Sequence, residues 1–334
     1  MKWISYLIIV GVFLIILNSC DKSTKSTDSV TLETKSGIVS MGAGYAGDIY
    51  YSLSNGIIIG APRNNWDIAF CVAPREAAIL TNSTSGVELK VYPTASGWNW
   101  SDPVDTAGYS GWTPLYNSDT TWTEGAFNMN ATGHPNYGWG LYDVNTHNLS
   151  GIALYIIKTR AGSYKKIWII EKLSALQKFT FRYSDIDGSH ETNVDLDLAG
   201  STKNFVYYSL DTNEKIDKEP DNDKWDIVFT KYHTLIENTD YTVTGVLQNI
   251  AVTAQESTDT DPASKVFPTT GFLKDISTVG YDWKVINMQT FEYTIDDSRV
   301  FYIKDLSEAV HRIKFKTFEG STTGNITFDV STLK

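Results

Sequence analysis

The pattern Trp-Asp-Ile-x-Phe occurs twice in this chain, as Trp66-Asp67-Ile68-Ala69-Phe70 and as Trp225-Asp226-Ile227-Val228-Phe229. The same tetrapeptide precedes each copy, Tyr50-Tyr51-Ser52-Leu53 and Tyr207-Tyr208-Ser209-Leu210. Matched markers in one order point to an internal duplication, which limits the fold to two related units. The pattern alternates large apolar with small or polar residues, as a strand with one buried face does. More pairs follow in step: Ile79-Leu80-Thr81-Asn82 with Val246-Leu247-Gln248-Asn249, Trp139 with Trp283, and Leu154-Tyr155-Ile156-Ile157-Lys158 with Val300-Phe301-Tyr302-Ile303-Lys304. Lys158 to Lys166 and Lys304 to Arg312 both span eight residues, and Ile167 and Ile313 come next. Phe179-Thr180-Phe181 matches Ile326-Thr327-Phe328. We therefore expect an all-β protein of two tandem, related antiparallel domains, residues 42–200 and 201–334.

Composition agrees with this class. Aromatic residues make up 13% of the 334 positions and charged residues only 20%, and long helical runs of Ala, Leu, Glu and Lys are missing. The net charge of -11 speaks against a general nucleic-acid binder, which needs a basic face for phosphate. It leaves room for a small anionic ligand in a local pocket. The sequence has no G-x-S-x-G, H-E-x-x-H or Walker pattern, so the chain is read as non-enzymatic. A pair of catalytic carboxylates would be set by the fold and not by spacing.

Residues 1–19 read as a secretory signal: Lys2, an apolar run over 4–17, then Leu17-Asn18-Ser19-Cys20. Fourteen apolar residues are short for a membrane span, which needs about 20. The Leu-x-small-Cys ending resembles a bacterial lipobox, which implies cleavage before Cys20, lipidation of Cys20, and attachment to the membrane through that lipid. Residues 20–41 are rich in Lys, Ser, Thr and Asp and are expected to form a flexible tether. The mature body then keeps one thiol, Cys71, expected to be an inert core residue.

The ordered set of markers resembles the HmuY-like lipoproteins of Bacteroidota. The set is an aromatic strand, Trp-Asp-Ile-x-Phe, a Leu-x-Asn turn, a Trp before the late strands, and an aromatic-aliphatic strand ending in Lys or Arg. The resemblance spans both repeats. It implies an all-β fold, an outer-membrane lipoprotein, heme capture as the function, and transfer to an outer-membrane receptor or other envelope protein. It also implies an axial His five residues after the Trp of the late strands. Here that position is Met288 after Trp283, and Val144 after Trp139. A thioether sulfur is a competent heme ligand, whereas valine is not. A second family His belongs in a Gly-rich segment upstream; the first repeat offers His134, with Met129 close by in sequence, and His147 follows Trp139 by eight. The heme-ligand candidates are therefore His134, His147, Met129 and Met288, with Tyr137, Trp139, Tyr142 and Trp283 as candidates to line the porphyrin. Lys165 or Lys166 would meet the propionates. Neither repeat carries the full family ligand pair.

Each candidate also has a plain structural role. His134 and His147 suit polar turns, Met288 suits a core gap, and His233 suits an exposed strand end. Asp185-Ile186-Asp187-Gly188 lacks calcium-loop spacing and reads as a β-turn. Trp98, Trp100, Trp112 and Trp122 fall in one loop-rich stretch, which makes this insertion the expected binding surface. The alternative to heme is a duplicated β scaffold that binds a glycan, a peptide or an envelope protein.

Overall fold

The computed structural model describes residues 31–93, 97–258 and 260–334. The signal segment 1–19, the lipidation residue Cys20 and the first part of the tether lie outside these residues. Among the described residues the fold is all-β, with short 3-10 turns and no α-helix. No helix there is long and apolar enough to cross a membrane.

The strands up to residue 185 are β1 (Leu32–Ser40), β2 (Gly47–Ser52), β3 (Gly56–Pro62), β4 (Ile68–Cys71), β5 (Ile79–Thr81), β6 (Glu88–Val91), β7 (Gly140–Tyr142), β8 (Leu149–Gly151), β9 (Tyr155–Lys158), β10 (Tyr164–Leu173) and β11 (Lys178–Asp185). The rest are β12 (Thr192–Asp197), β13 (Phe205–Ser209), β14 (Glu214–Ile216), β15 (Ile227–Ile236), β16 (Thr239–Gln248), β17 (Thr253–Ser257), β18 (Lys284–Ile286), β19 (Tyr293–Ile295), β20 (Val300–Lys304), β21 (Val310–Phe318) and β22 (Asn325–Leu333).

Two lobes form. The inserted lobe is continuous in sequence. It joins the sheet β12-β11-β10-β8-β7, with β9 on β10 and β6 on β9, to the sheet β14-β13-β4-β5. Its core runs from Ile68 and Phe70 through Trp139, Phe179 and Phe181 to Tyr208 and Leu210. The outer lobe is built from the two ends of the chain. It joins β1-β22-β21-β20-β17 to β16-β15-β2-β3, with the hairpin β18-β19 alongside. Its core combines Val39, Ile49 and Tyr51 with Phe229, Trp283, Phe315 and Phe328.

This pairing corrects the expected domain limits. A cut at 200/201 would separate β13 from β4, its antiparallel partner, and β2 from β15. The first Tyr-Tyr-Ser-Leu strand pairs with the second Trp-Asp-Ile-x-Phe strand, and the second with the first. The tether expectation is also corrected over its second half. Residues 32–40 form β1, which pairs with β22 at nine successive positions. β1 is polar along most of its length, and what holds it is the backbone ladder and the burial of Val39. Gly37 makes the approach close: a Cβ there would lie 2.5 Å from the Phe328 ring.

Strand period 2 sorts the side chains of the two four-stranded sheets between core and junction. Tyr51 and Tyr208 enter the lobe cores, while Tyr50 and Tyr207 face the junction between lobes. Ile68 and Phe70 likewise point inward, and Ala69 and Cys71 outward into the junction. Cys71 is buried there, and burial pushes its thiol up to about 11. Trp122 packs into both junction clusters and donates its indole N–H to the Gln248 carbonyl at 2.7 Å.

Candidate functional site

The β7–β8 hairpin positions the first group of candidates. Its turn closes through the Asp143 N–H to the Asn148 carbonyl at 2.9 Å and the His147 N–H to the Asp143 carbonyl at 2.8 Å. His147 adopts a left-handed conformation, φ 60. Segment 133–137 folds back on β7: the Tyr142 N–H donates to the Pro135 carbonyl and the Tyr137 N–H to the Gly140 carbonyl, both at 2.9 Å. Gly138 permits this, because a Cβ there would lie 2.8 Å from the Phe127 carbonyl oxygen and its φ is +85. As a result both imidazoles pack on one phenol. The His134 and Tyr142 ring centroids are 5.2 Å apart, and those of Tyr142 and His147 are 5.9 Å apart. Tyr137 closes the group, 6.3 Å from both His134 and Tyr142.

The Tyr142 hydroxyl bonds His147 Nδ1 at 2.5 Å, so the Nε2 edge of His147 is left for another partner. His134 makes no hydrogen bond through its ring among the described residues. Both imidazoles are exposed. The arrangement presents two nitrogen donors and a phenol on one edge of the inserted lobe.

The other sequence candidates fall elsewhere. Trp139 is fully buried and donates its N–H to the Ala77 carbonyl at 2.8 Å. Trp283 is 1% exposed and stacks on Phe315 with centroids 3.9 Å apart. Both are core residues with no face left for a ligand, which corrects their assignment as porphyrin-lining. Met288 is not a core filler: it stands 71% exposed in the β18–β19 turn, on the other lobe from the two histidines. Met129 lines a surface groove with Tyr116, His233 and Leu235. Neither lysine offered to propionates is free. Lys165 pairs with Asp185 at 2.8 Å, and Lys166 is buried and donates to the Trp100 carbonyl at 2.6 Å.

The tryptophans of the insertion are largely spent on packing. Trp98 meets Trp168 edge-on, and Trp112 meets Tyr92 and Tyr109. Trp100 is buried beneath Lys166 and Arg182. The Asp185–Gly188 stretch is the β11–β12 turn, and Asp185 accepts there from Lys165 and His190. Among the described residues no three His, Cys, Asp or Glu side chains group as a metal site.

Sequence reasoning missed the cleft between the lobes. Its walls include Asp48, Arg63, Trp66, Thr81, Lys218, Lys231 and His233, drawn from both lobes. Spacing could not have found it, because the pairing of β4 with β13 and of β2 with β15 brings its walls together from distant parts of the chain.

No family model matches the chain, and no curated protein matches it. Solved structures similar to it include apo PinO from Porphyromonas gingivitis, 12% identical, covering 90% of this chain and 97% of that one with a TM-score of 0.33. Another is the apo HmuY analog of Tannerella forsythia, 15% identical, covering 46% of this chain and 89% of that one with a TM-score of 0.24. Neither likeness fixes a ligand for this chain.

Proposed function

We propose that this chain is a non-enzymatic, envelope-attached binding protein, anchored through lipidated Cys20, and that it captures heme at the edge formed by His134, Tyr142 and His147. The observation that carries the reading is the convergence of two exposed imidazoles on one phenol. The donor chemistry fits the group, since imidazole nitrogen is a strong axial ligand for heme iron. With Nδ1–H of His147 donating to the Tyr142 oxygen, its Nε2 lone pair faces out, and the phenol fixes the ring as an outer partner of a metal-bound histidine does. Tyr137 supplies an aromatic wall. Bound heme would supply the iron; the protein supplies ligands and no chemistry on the ring. The same reading takes the chain as two copies of one unit whose leading strands are exchanged. The matching partners β1–β22 with β12–β11, and β2–β15 with β13–β4, support it.

The test is a hemin titration of residues 21–334 followed in the Soret region. A saturable six-coordinate spectrum near one equivalent is expected. His134→Ala and His147→Ala should each weaken binding, and Tyr142→Phe should weaken it by about ten- to hundredfold through the lost outer partner. A spectrum equal to that of hemin with an unrelated acidic protein, or one untouched by both histidine changes, sinks the heme reading and favours the glycan, peptide or envelope-protein scaffold.

A further inference from the structure

We infer that the cleft between the two lobes is a separate binding site, for a small hydroxylated carboxylate of sugar-acid size. The cavity is about 90 Å³. One water needs roughly 10–15 Å³ of such space, so the cleft takes a ligand that displaces about six to nine waters. That is well below the roughly 300–1,000 Å³ of pockets that enclose drug-sized ligands and cofactors, and a porphyrin has no place in it. The inference therefore does not depend on the heme reading.

Charge gives the first part of the argument. Three cations line the cleft, Arg63, Lys218 and Lys231, against the single carboxylate of Asp48. Asp48 is already satisfied: Lys218 Nζ donates to Oδ2 and Thr230 Oγ1 to Oδ1, both at 2.7 Å. Arg63 is buried, yet its guanidinium donates only to neutral oxygens, the carbonyls of Tyr45 and Thr84 and the hydroxyls of Thr84 and Ser85, at 2.8–3.1 Å. Lys231 is half-buried and has no carboxylate partner among the described residues. Its ammonium sits 5.9 Å from the Tyr45 ring centroid. A protein of net charge -11 thus holds at the junction of its lobes two cations, Arg63 and Lys231, that make no ion pair with a carboxylate among the described residues, beside the paired Lys218 and Asp48. Desolvated cations of this kind call for an anion.

Unpaired polar atoms give the second part. Trp66 Nε1, Thr81 Oγ1 and His233 Nδ1 are buried without a hydrogen-bond partner, and all three residues line the cleft. Trp66 is 8% exposed and Thr81 only 2%. Buried polar groups are nearly always paired, so a cluster of unpaired ones around a cavity marks the place of a missing partner. An indole N–H, a hydroxyl and an imidazole are neutral, and neutral hydroxyls match them. The His233 imidazole is kept neutral by its burial and stacks on Tyr116 at 4.0 Å. Aromatic walls from Tyr50, Trp66 and Tyr207 suit the apolar face of a compact ring.

The experiment is calorimetric titration of residues 21–334 with D-glucuronate, D-glucose and inorganic phosphate, on the parent protein and on Trp66→Phe and Lys231→Gln. Saturable binding of glucuronate is expected, with glucose and phosphate at least about tenfold weaker, as loss of a charge-assisted bond or of the hydroxyl contacts requires. Lys231→Gln should weaken glucuronate by about tenfold, with a melting temperature equal to the parent's when no ligand is present, and Trp66→Phe should weaken it by about fivefold. Absence of saturable glucuronate binding, equal binding of glucose or phosphate, or affinity unchanged in both variants overturns the inference. The phosphate and glucose arms use the parent protein, so the test stands even if a variant misfolds. Parallel titration of His134→Ala, which should bind glucuronate normally, separates this site from the heme reading.

Discussion

The aspartate of each Trp-Asp-Ile-x-Phe copy is a structural clasp. Asp67 is fully buried; its Oδ2 accepts the Leu210 N–H at 2.8 Å and its Oδ1 the Arg160 N–H at 3.0 Å. Asp226 repeats the arrangement with the Leu53 N–H at 2.7 Å and the Leu306 N–H at 3.4 Å. In both cases the leucine closes the Tyr-Tyr-Ser-Leu strand of the other copy. Burial raises the pKa of both carboxyls, and the backbone bonds work against that shift. Asn82 and Asn249 serve the same corner, donating to the Trp66 and Trp225 carbonyls. Asp67→Ala leaves the buried Leu210 N–H and the half-buried Arg160 N–H without an acceptor. It should cost about 2–4 kcal/mol, read as a lowered urea midpoint, since each orphaned group costs about 1–3 kcal/mol. A loss below about 0.5 kcal/mol would place Asp67 among ordinary surface substitutions and remove the clasp. The sequence shows that these residues recur, and not what they hold, because the partners lie 143 and 173 positions away.

At the scale of elements, the strands themselves are legible and their partners are not. Alternation and turn residues mark β4, β6, β9, β10 and β11 well enough to read an antiparallel all-β chain. But both copies carry the same strand signals, so pairing within a copy and pairing between copies satisfy the pattern equally. Connection geometry decides between them, and no local period encodes it. β1 was hidden for another reason: of its nine residues only Val39 is buried, so composition reads it as a tether while the ladder to β22 makes it a strand. The two histidines of the candidate site were visible as residue types; their meeting at Tyr142 depends on the fold-back of 133–137. The pairing of β4 with β13 and of β2 with β15 also predicts which pieces fold. A fragment of residues 64–219 contains every strand of the inserted lobe and should unfold cooperatively with dispersed amide resonances. A fragment of residues 42–200 lacks β13 and β14, leaves β2 and β3 without β15, and should show neither. The opposite result, a cooperative 42–200 and a disordered 64–219, would restore the tandem boundaries.

Across the whole molecule, two buried ionisable groups set opposing dependences on pH. Glu219 lies in the crossing from the inserted to the outer lobe, beside the Lys218–Asp48 pair that ties the lobes together. Its carboxyl accepts the Phe205 N–H at 2.6 Å and the Tyr207 hydroxyl at 3.1 Å, and burial pushes it up to about 7 from 4.5. Between those values the folded state binds the extra proton, so this contribution to stability is complete below pH 4.5 and is lost as pH rises through about 7. Lys284 is the mirror case. It donates to the Thr244 and Tyr281 carbonyls over the Trp283 ring, and burial pushes it down to about 7 from 10.5. Above 7 the unfolded state binds the extra proton, so stability rises with pH up to 10.5. The two limbs meet in a minimum near neutrality. Each limb should amount to about 3–5 kcal/mol in full, since every tenfold change in proton affinity is worth about 1.4 kcal/mol. Other groups tilt the curve: Asp67 and Asp226 add to the falling side, and His233, with its pKa lowered by burial, opposes it at acid pH. Differences between parent and variant isolate the two groups. Urea unfolding at pH 5, 7 and 9 should show that Glu219→Gln removes the loss between 5 and 7, and that Lys284→Met removes the gain between 7 and 9. Variant curves parallel to the parent over those intervals would mean that neither burial governs how stability changes with pH.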